Sequence, residues 1–194
     1  MPAKKPSSPP STPAAETPEP AALPRAKARP PVDLGQAVVE AFATNERLNQ
    51  FLLEHLEPRA WRAAPPGEKG RTIAAIVAHV HNVRRMWLVV AAKELEPPAK
   101  IDRAKVTLKQ AQRALAKSAK AMDQLLRRSV ATGGRVKDFR PDVVGFLAYA
   151  IAHESHHRGQ IALLARLAGF PLAEEVGYGL WDWNQRWKDC GFER

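Results

Sequence analysis

Four long segments of this sequence carry apolar residues at the spacing of an α-helix, and breaks rich in proline or glycine separate them. The spacing predicts helices over residues 34–56, 73–95, 107–129 and 142–167. Asp33 and Thr72 stand where N-caps belong, immediately before the first and second segments. No segment shows a clear strand pattern. The sequence therefore predicts an all-α fold, a four-helix bundle.

The first 31 residues differ in composition from the rest of the chain. Ten of the 17 prolines lie there, and Met1 and Leu23 are its only large apolar side chains. Such a segment cannot bury enough apolar surface to offset the entropy lost on folding. We therefore expect a disordered, basic Pro/Ala-rich tail over residues 1–31 and a single domain over residues 32–194.

The chain is strongly basic, with a net charge of +10, of which the tail holds +3 and the domain +7. A basic surface attracts nucleic acids and anionic metabolites but identifies neither. Lys109, Arg113 and Lys117 recur every four residues in the third helical segment. Because such a stripe is usually a solvated face, a nucleic-acid partner is not favoured.

Several features bear on the compartment in which the protein works. No run of 18 apolar residues occurs, so we expect no membrane-spanning helix, and the N-terminus lacks the apolar stretch of a secretory signal. The lone Cys190 excludes an intrachain disulfide and fits a reducing compartment. We therefore expect a cytoplasmic protein. Cys190 has no histidine nearby in sequence, so we do not expect it to act as a nucleophile.

Histidines cluster in the fourth helical segment. His153 and His157 are four residues apart and so share one helix face. The same face continues at steps of three and four through Val143, Phe146, Ala150, Gln160 and Leu164. It is therefore the core-facing side, where two neutral imidazoles need polar partners and one cation would supply both. His156 is displaced around the helix and is expected at the rim.

Residues 153–157 also match the H-E-x-x-H pattern of zinc proteases. In the metzincin form a glycine and a third histidine follow at fixed offsets, but Gly159 is one place short and Leu163 replaces the histidine. A thermolysin-like site needs a downstream glutamate, and Glu174 and Glu175 follow a Gly-Phe-Pro break with no helix to present them. A protease is therefore not favoured.

The second helical segment offers a third inward-facing histidine. His79 lies among apolar residues, whereas His81 is about 200° further round the helix. The two cannot both reach one ion. A hydrogen-bonded core histidine is the alternative for His79, but the pair on the fourth segment favours coordination with His153 and His157.

Other polar residues are secondary candidates. Asn45 interrupts the apolar face of the first segment and predicts a hydrogen bond between helices. Arg158 is expected to pair with Glu154, one turn earlier, or to bind an anionic group. Gln160 faces the same side as the candidate ligands and is expected to hold a ligand or substrate in place. The tryptophans of the C-terminal segment are expected to wall a pocket over the metal or to seal the core: Trp181, Trp183 and Trp187.

Residues 70–79 (GRTIAAIVAH), 83–87 (VRRMW) and 153–161 (HESHHRGQI) together resemble the DinB/YfiT-like family. The pattern is one histidine in the second helix and H-x-x-x-H-R-G-Q in the fourth. The resemblance covers residues 33–194 and leaves the tail outside. It implies a four-helix bundle with a divalent metal ion held by His79, His153 and His157; His81 and His156 are additional to the pattern.

The resemblance also implies a homodimer, and for some members a transferase activity that joins a low-molecular-weight thiol to a small electrophile. Three imidazoles leave open positions on the ion, as in catalytic rather than structural sites, and suit zinc, nickel or iron. We therefore expect a metal-dependent enzyme, a thiol-dependent transferase or a hydrolase. The alternatives are a non-catalytic metal- or small-ligand-binding or stress-response protein and, less favoured, a basic nucleic-acid-associated module.

Overall fold

The computed structural model describes residues 31–67 and 70–193, and the described residues from Val32 onward belong to one compact unit. Its elements are α1 (Leu34–Glu54), a short 3₁₀ helix (Pro58–Arg62), α2 (Ile73–Ala91), α3 (Leu108–Ala131), α4 (Val143–Leu167), α5 (Glu174–Gly179) and α6 (Trp183–Asp189). In this part of the chain there is no strand, only an isolated antiparallel bridge between Arg135 and Asp142. The predicted all-α fold is confirmed. The tail predicted over residues 1–31 lies outside the described residues, apart from Pro31.

Side-chain caps define where the four long helices begin. Each starts after a residue whose side chain accepts a hydrogen bond from the third backbone N–H of the helix; these residues are Asp33, Thr72, Thr107 and Asp142. Thr107 and Gln110 form a reciprocal capping box, with bonds of 3.2 and 2.9 Å. A cap of this kind stabilises a helix by about 1 kcal/mol. The predicted starts are therefore correct to within one residue.

The helix ends depend on backbone geometry that periodicity does not reveal. The second helix ends at Ala91 rather than at the predicted residue 95, because Ala92 leaves the helical region (φ −138°, ψ 59°). The fourth helix ends as predicted: Gly169 adopts a left-handed conformation (φ 83°), and the Phe170 N–H donates to the Ala165 carbonyl at 2.9 Å.

Two apolar clusters fill the bundle, in which α1 and α2 pack against α3, and α4 packs against α1 and α2. One cluster includes Leu53, Val77, Leu115 and Ile161. The other includes Phe42, Leu88, Met122 and Phe146. Each such side chain contributes about 1.5–3 kcal/mol when fully buried. Between the clusters, every long helix carries buried polar residues, and this polar layer borders the candidate site; its members include Asn45, Asn49, Arg84, Ser118 and Glu154.

The C-terminal segment forms two short helices, of which α6 packs against α1. The indole N–H of Trp187 donates to Glu40 at 3.0 Å, and the Arg186 guanidinium lies over the Phe51 ring at 4.1 Å. The segment therefore covers a side of α1. Within the described ranges, no helix has both the length and the apolar character needed to cross a bilayer.

Candidate metal centre

Three imidazole rings from two helices meet beside the polar layer. His79 comes from α2, and His153 and His157 come from α4. The Nε2 atom of His153 lies 3.3 Å from Nε2 of His79 and 3.1 Å from Nε2 of His157, and the three potential ligand atoms lie within 4.8 Å of one another. At metal–nitrogen distances of about 2.0–2.1 Å, neighbouring ligands are about 2.8–3.0 Å apart on an octahedral ion and about 3.3–3.4 Å apart on a tetrahedral ion. The spacing fits one shared ion.

The protons on these rings also favour a cation between them. Oε1 of Gln160 lies 2.7 Å from Nδ1 of His157. Because this amide oxygen only accepts, His157 carries its proton on Nδ1 and directs the Nε2 lone pair at the cluster. Nε2 of His153 faces both other Nε2 atoms but has at most one proton to donate in a neutral ring. A shared cation would satisfy all three nitrogens, with Gln160 orienting His157 from outside.

The three rings are neutral near pH 7. Burial lowers the pKa of His79 to about 4, and the nearby Arg71 charge and the other two rings act in the same direction. Burial is also the main cause of the lowered pKa of His153 and of His157. Neutral imidazole is the form that binds a metal ion, so the cluster needs no proton loss before binding.

The other histidines lie outside the cluster. His81 is fully buried on another side of α2, with its ring nitrogens 2.9 Å from the carbonyls of Ala114 in α3 and of Ala99 in the loop before α3. Burial lowers the pKa of His81, so the neutral ring donates its one N–H to one of these carbonyls. His156 is exposed beside His157, as expected for a rim residue. His55 is the C-cap residue of α1, with Nδ1 of its ring 2.8 Å from the Phe51 carbonyl.

A cavity of about 550 Å³ opens beside His79. Its wall includes Arg71 and, from the loop between α2 and α3, Lys100, Asp102 and Arg103. None of the C-terminal tryptophans lines this cavity, so their predicted place over the metal is wrong. Trp181 is 86% exposed and borders a separate groove between α4 and α5, so it does not seal the core either.

A buried ionic network adjoins the cluster. Both oxygens of Glu154 accept from Arg84, through Nε and Nη2 at 2.7 Å each. Asn45 and Asn49 each donate to Oε2 of the same carboxylate at 2.6 Å, and Arg84 also pairs with Glu46 at 2.7 Å. The hydrogen bond between helices predicted from Asn45 is confirmed. The network connects α1, α2 and the turn of α4 that carries His153 and His157.

The charged groups in this network stabilise one another in their ionised forms. Burial, the largest single effect, would raise the pKa of Glu154, but the charge and hydrogen bonds of Arg84, the Asn49 hydrogen bond and the Arg158 charge together keep that pKa below the usual range. Burial likewise opposes the charge on Arg84, whereas Glu154 and Glu46 raise its pKa. In an H-E-x-x-H protease the glutamate is a free general base. Here Arg84 occupies it, which agrees with the expectation that this is not a protease. One ground for that expectation is wrong, since Glu174 and Glu175 do stand on a helix, in the first turn of α5.

The predicted pairing of Arg158 with Glu154 is wrong. Nη1 of Arg158 donates to Oδ1 of Asn45 at 2.8 Å and of Asn49 at 2.7 Å, and Nη2 donates to Ser155 at 2.6 Å. The physical reason is that Arg84, from another helix, already binds both oxygens of Glu154. Burial lowers the pKa of Arg158 to about 10, so it remains a cation at neutral pH.

Sequence reasoning missed Arg84 as a buried residue. It is 2% exposed and follows Val80 and precedes Leu88 at steps of four, which places all three on one buried row of α2. The spacing of this row could have predicted that Arg84 is buried and needs a buried counter-charge, because it places a charged residue between two core positions.

The bundle and its three convergent imidazoles place the chain in a structural class, the four-helix proteins with a candidate divalent-metal centre. The sequence profile of the DinB family matches residues 32–184, and the chain belongs to this family. The resemblance found in the sequence is thereby confirmed. No curated protein matches the chain.

Two solved structures share the fold. A DinB-like protein from Bacillus cereus ATCC 10987 is 22% identical, with a TM-score of 0.51 and with 72% of this chain and 93% of that chain covered. A candidate member of the DinB family from Exiguobacterium sibiricum 255-15 is 20% identical, with a TM-score of 0.51 and with 75% and 98% covered. At these identities the similarity establishes the fold alone.

Proposed function

We propose that this chain binds one divalent metal ion through His79, His153 and His157 and works as a metal-dependent enzyme, either a thiol-dependent transferase or a hydrolase. One observation carries the proposal: Nε2 atoms from two helices converge at 3.1 and 3.3 Å, and Oε1 of Gln160 lies 2.7 Å from Nδ1, the outer ring nitrogen of His157. The all-imidazole donor set suits zinc, nickel or iron.

A divalent ion held by three neutral imidazoles keeps its positive charge and lowers the pKa of a thiol or water bound at an open position. The protein supplies a rigid frame for this chemistry. The Tyr149 ring stacks on His153 with centroids 6.0 Å apart, and Trp87 donates to the Tyr149 hydroxyl at 3.4 Å. The cavity beside His79 gives a low-molecular-weight thiol and a small electrophile a place to bind next to the cluster.

The chain's own thiol is a poor candidate for the attacking group. Burial raises the pKa of Cys190, and its Sγ donates to the Arg186 carbonyl at 3.3 Å. A thiolate nucleophile requires the opposite environment. In the proposed transferase reaction the thiol is therefore a substrate.

The second candidate function is a metal- or small-ligand-binding protein without turnover. The state of Glu154 favours it, because this carboxylate, next in sequence to His153, is occupied by Arg84 and cannot act as a general base. A reaction at this site would depend on the metal for its acid–base chemistry.

Activity assays on metal-loaded protein separate the two candidates. The loaded chain is tested for conjugation of glutathione or cysteine to 1-chloro-2,4-dinitrobenzene and for hydrolysis of 4-nitrophenyl acetate. The enzyme proposal predicts turnover above that of the free metal ion, lost in His153→Ala and kept in His156→Ala. Full metal occupancy without turnover on either reaction would favour the binding protein.

Gln160 is expected to set metal affinity from outside the ligand set. Replacing it with alanine removes the acceptor that fixes the proton of His157 on Nδ1, and loss of such an outer partner typically weakens metal binding about 10- to 100-fold. Competition with a chromophoric chelator measures the change. Gln124→Ala, at an exposed position on α3, is the matched control and should bind like wild type. Equal affinity of all three proteins would contradict the orienting role.

The proposal places the protein in the cytoplasm as a homodimer. The lone cysteine of the chain fits a reducing compartment. Sedimentation velocity tests the oligomeric state. The proposal predicts one species of twice the 21.4 kDa chain mass, and a species of the chain mass alone would contradict the homodimer.

A further inference from the structure

The wall of the cavity beside His79 is mostly basic. Arg71 lies just before α2, and Lys100 and Arg103 lie on the loop before α3. Asp102 is the one acidic residue of the cavity wall, so the wall carries an excess of two positive charges when His79 is neutral. At about 550 Å³ the cavity has the size of a small-molecule site.

The loop that carries two of these cations is fixed to α2. Asn82 donates from Nδ2 to the Ile101 carbonyl at 3.1 Å and accepts the Ile101 N–H at 3.2 Å. Nε2 of the neighbouring His81 lies 2.9 Å from the Ala99 carbonyl. Lys100 therefore lies between two residues that contact α2, the helix that carries His79.

The cations of the cavity lack counter-charges of their own. Within residues 31–67 and 70–193, no ion pair joins Arg71, Lys100 or Arg103 to an acidic side chain. The carboxylate of Asp102 accepts the Ala104 N–H at 2.7 Å and so folds back on its own loop. Like charges around a concave surface repel one another and attract an anion into it.

We propose that this cavity binds the carboxylate or phosphate group of a small anionic substrate and so places that molecule next to His79. Arg71 and Arg103 offer planar groups of donors suited to either oxyanion, and Lys100 offers a third cation. That the bound anion is a substrate rests on the proposed function. That the cavity binds an anion rests only on its basic wall.

The concave shape of this site favours a small anion over a nucleic acid as the ligand. The exposed stripe of Lys109, Arg113 and Lys117 lies along α3, and none of the three lines the cavity beside His79. A small anion can enter a cavity of this volume, whereas a duplex would contact the longer stripe along α3. Arg113 and Lys117 of that stripe line a separate cavity, which shares Lys100 and Asp102 with the one beside His79. Variants of the two groups of basic residues therefore distinguish the two kinds of ligand.

Titration of the metal-free full-length protein with inorganic phosphate, with succinate and, separately, with a short DNA oligonucleotide tests the anion site. Amide chemical shifts are followed by NMR at constant ionic strength. Saturable binding is expected, with shifts concentrated at residues 71–82 and 99–104. The double variant Arg71→Gln/Arg103→Gln should weaken binding about tenfold or more, since hydrogen bonds to charged groups contribute about this much. Lys109→Gln/Lys117→Gln removes the same charge from the stripe on α3, outside this cavity, and should bind like wild type.

Three results would overturn the inference. They are the absence of saturable binding of both anions, an equal loss of affinity in the two double variants, and binding of an oligonucleotide alone, which would make the basic groups a nucleic-acid surface. Failure of the metal proposal can be distinguished from failure of the anion site. If wild-type protein binds phosphate or succinate at the cavity but retains no metal ion, the anion site stands and the metal-dependent reaction falls.

Discussion

Replacing His153 with alanine is expected to lower bound metal from about one ion per chain to a small fraction of that value. His153 is central to the cluster, since its Nε2 faces both other Nε2 atoms at 3.1 and 3.3 Å. Losing an outer partner of a metal ligand already costs about 10- to 100-fold in affinity, so losing a ligand should cost more than about 100-fold. Elemental analysis after exhaustive dialysis measures the loss, and His79→Ala and His157→Ala should behave alike.

His156→Ala is the matched control for this prediction. His156 lies on the same helix turn and its ring is 5.1 Å from that of His157, but it is exposed and is not one of the three convergent residues. The variant should therefore retain about one ion per chain. Loss of metal in His156→Ala together with retention in His153→Ala would show that the assigned ligand set is wrong.

Replacing Arg84 with methionine is expected to destabilise the metal-free protein by about 3–5 kcal/mol, because it leaves buried carboxylates without a counter-charge. Glu154 is 2% exposed, and Arg84 is its bidentate partner as well as the partner of Glu46. Guanidinium unfolding monitored by circular dichroism gives the free energy of unfolding.

Two further variants make this prediction specific. Arg127→Met removes an exposed ion pair with Asp123 and should change the free energy of unfolding by less than about 1 kcal/mol. Adding Glu154→Gln to Arg84→Met removes one of the stranded charges and should recover part of the lost stability. A cost for Arg84→Met no larger than for Arg127→Met would show that the buried pair does not hold the helices together.

The fold was largely predictable from the sequence because the four long helices are amphipathic and capped. Leu115, Met122 and Leu125 illustrate this: steps of seven and three residues put them on one face of a helix, and all three are buried. The end of α2 was not predictable, since it depends on the backbone angles of Ala92. The place of the tryptophans was not predictable, because short helices such as α5 and α6 depend on tertiary contacts: Trp187 packs on α1, whereas Trp181 is exposed.

The site was predictable to the extent that it depends on helix periodicity. His153 and His157 share a face because they are four residues apart, and His79 could be separated from His81 by rotation alone. The buried pair of Arg84 and Glu154 could not be assigned, because charged residues are normally exposed and their partners come from other helices. The basic cavity was equally hidden, since the Asn82 contacts that fix its loop are tertiary.

X-ray absorption spectroscopy of the nickel- or zinc-loaded protein tests most directly whether the three rings share one ion. We predict three imidazole nitrogens at about 2.0–2.1 Å, with the outer-shell scattering that imidazole rings produce. A spectrum with one imidazole or none, or with a sulfur ligand from Cys190, would contradict the account.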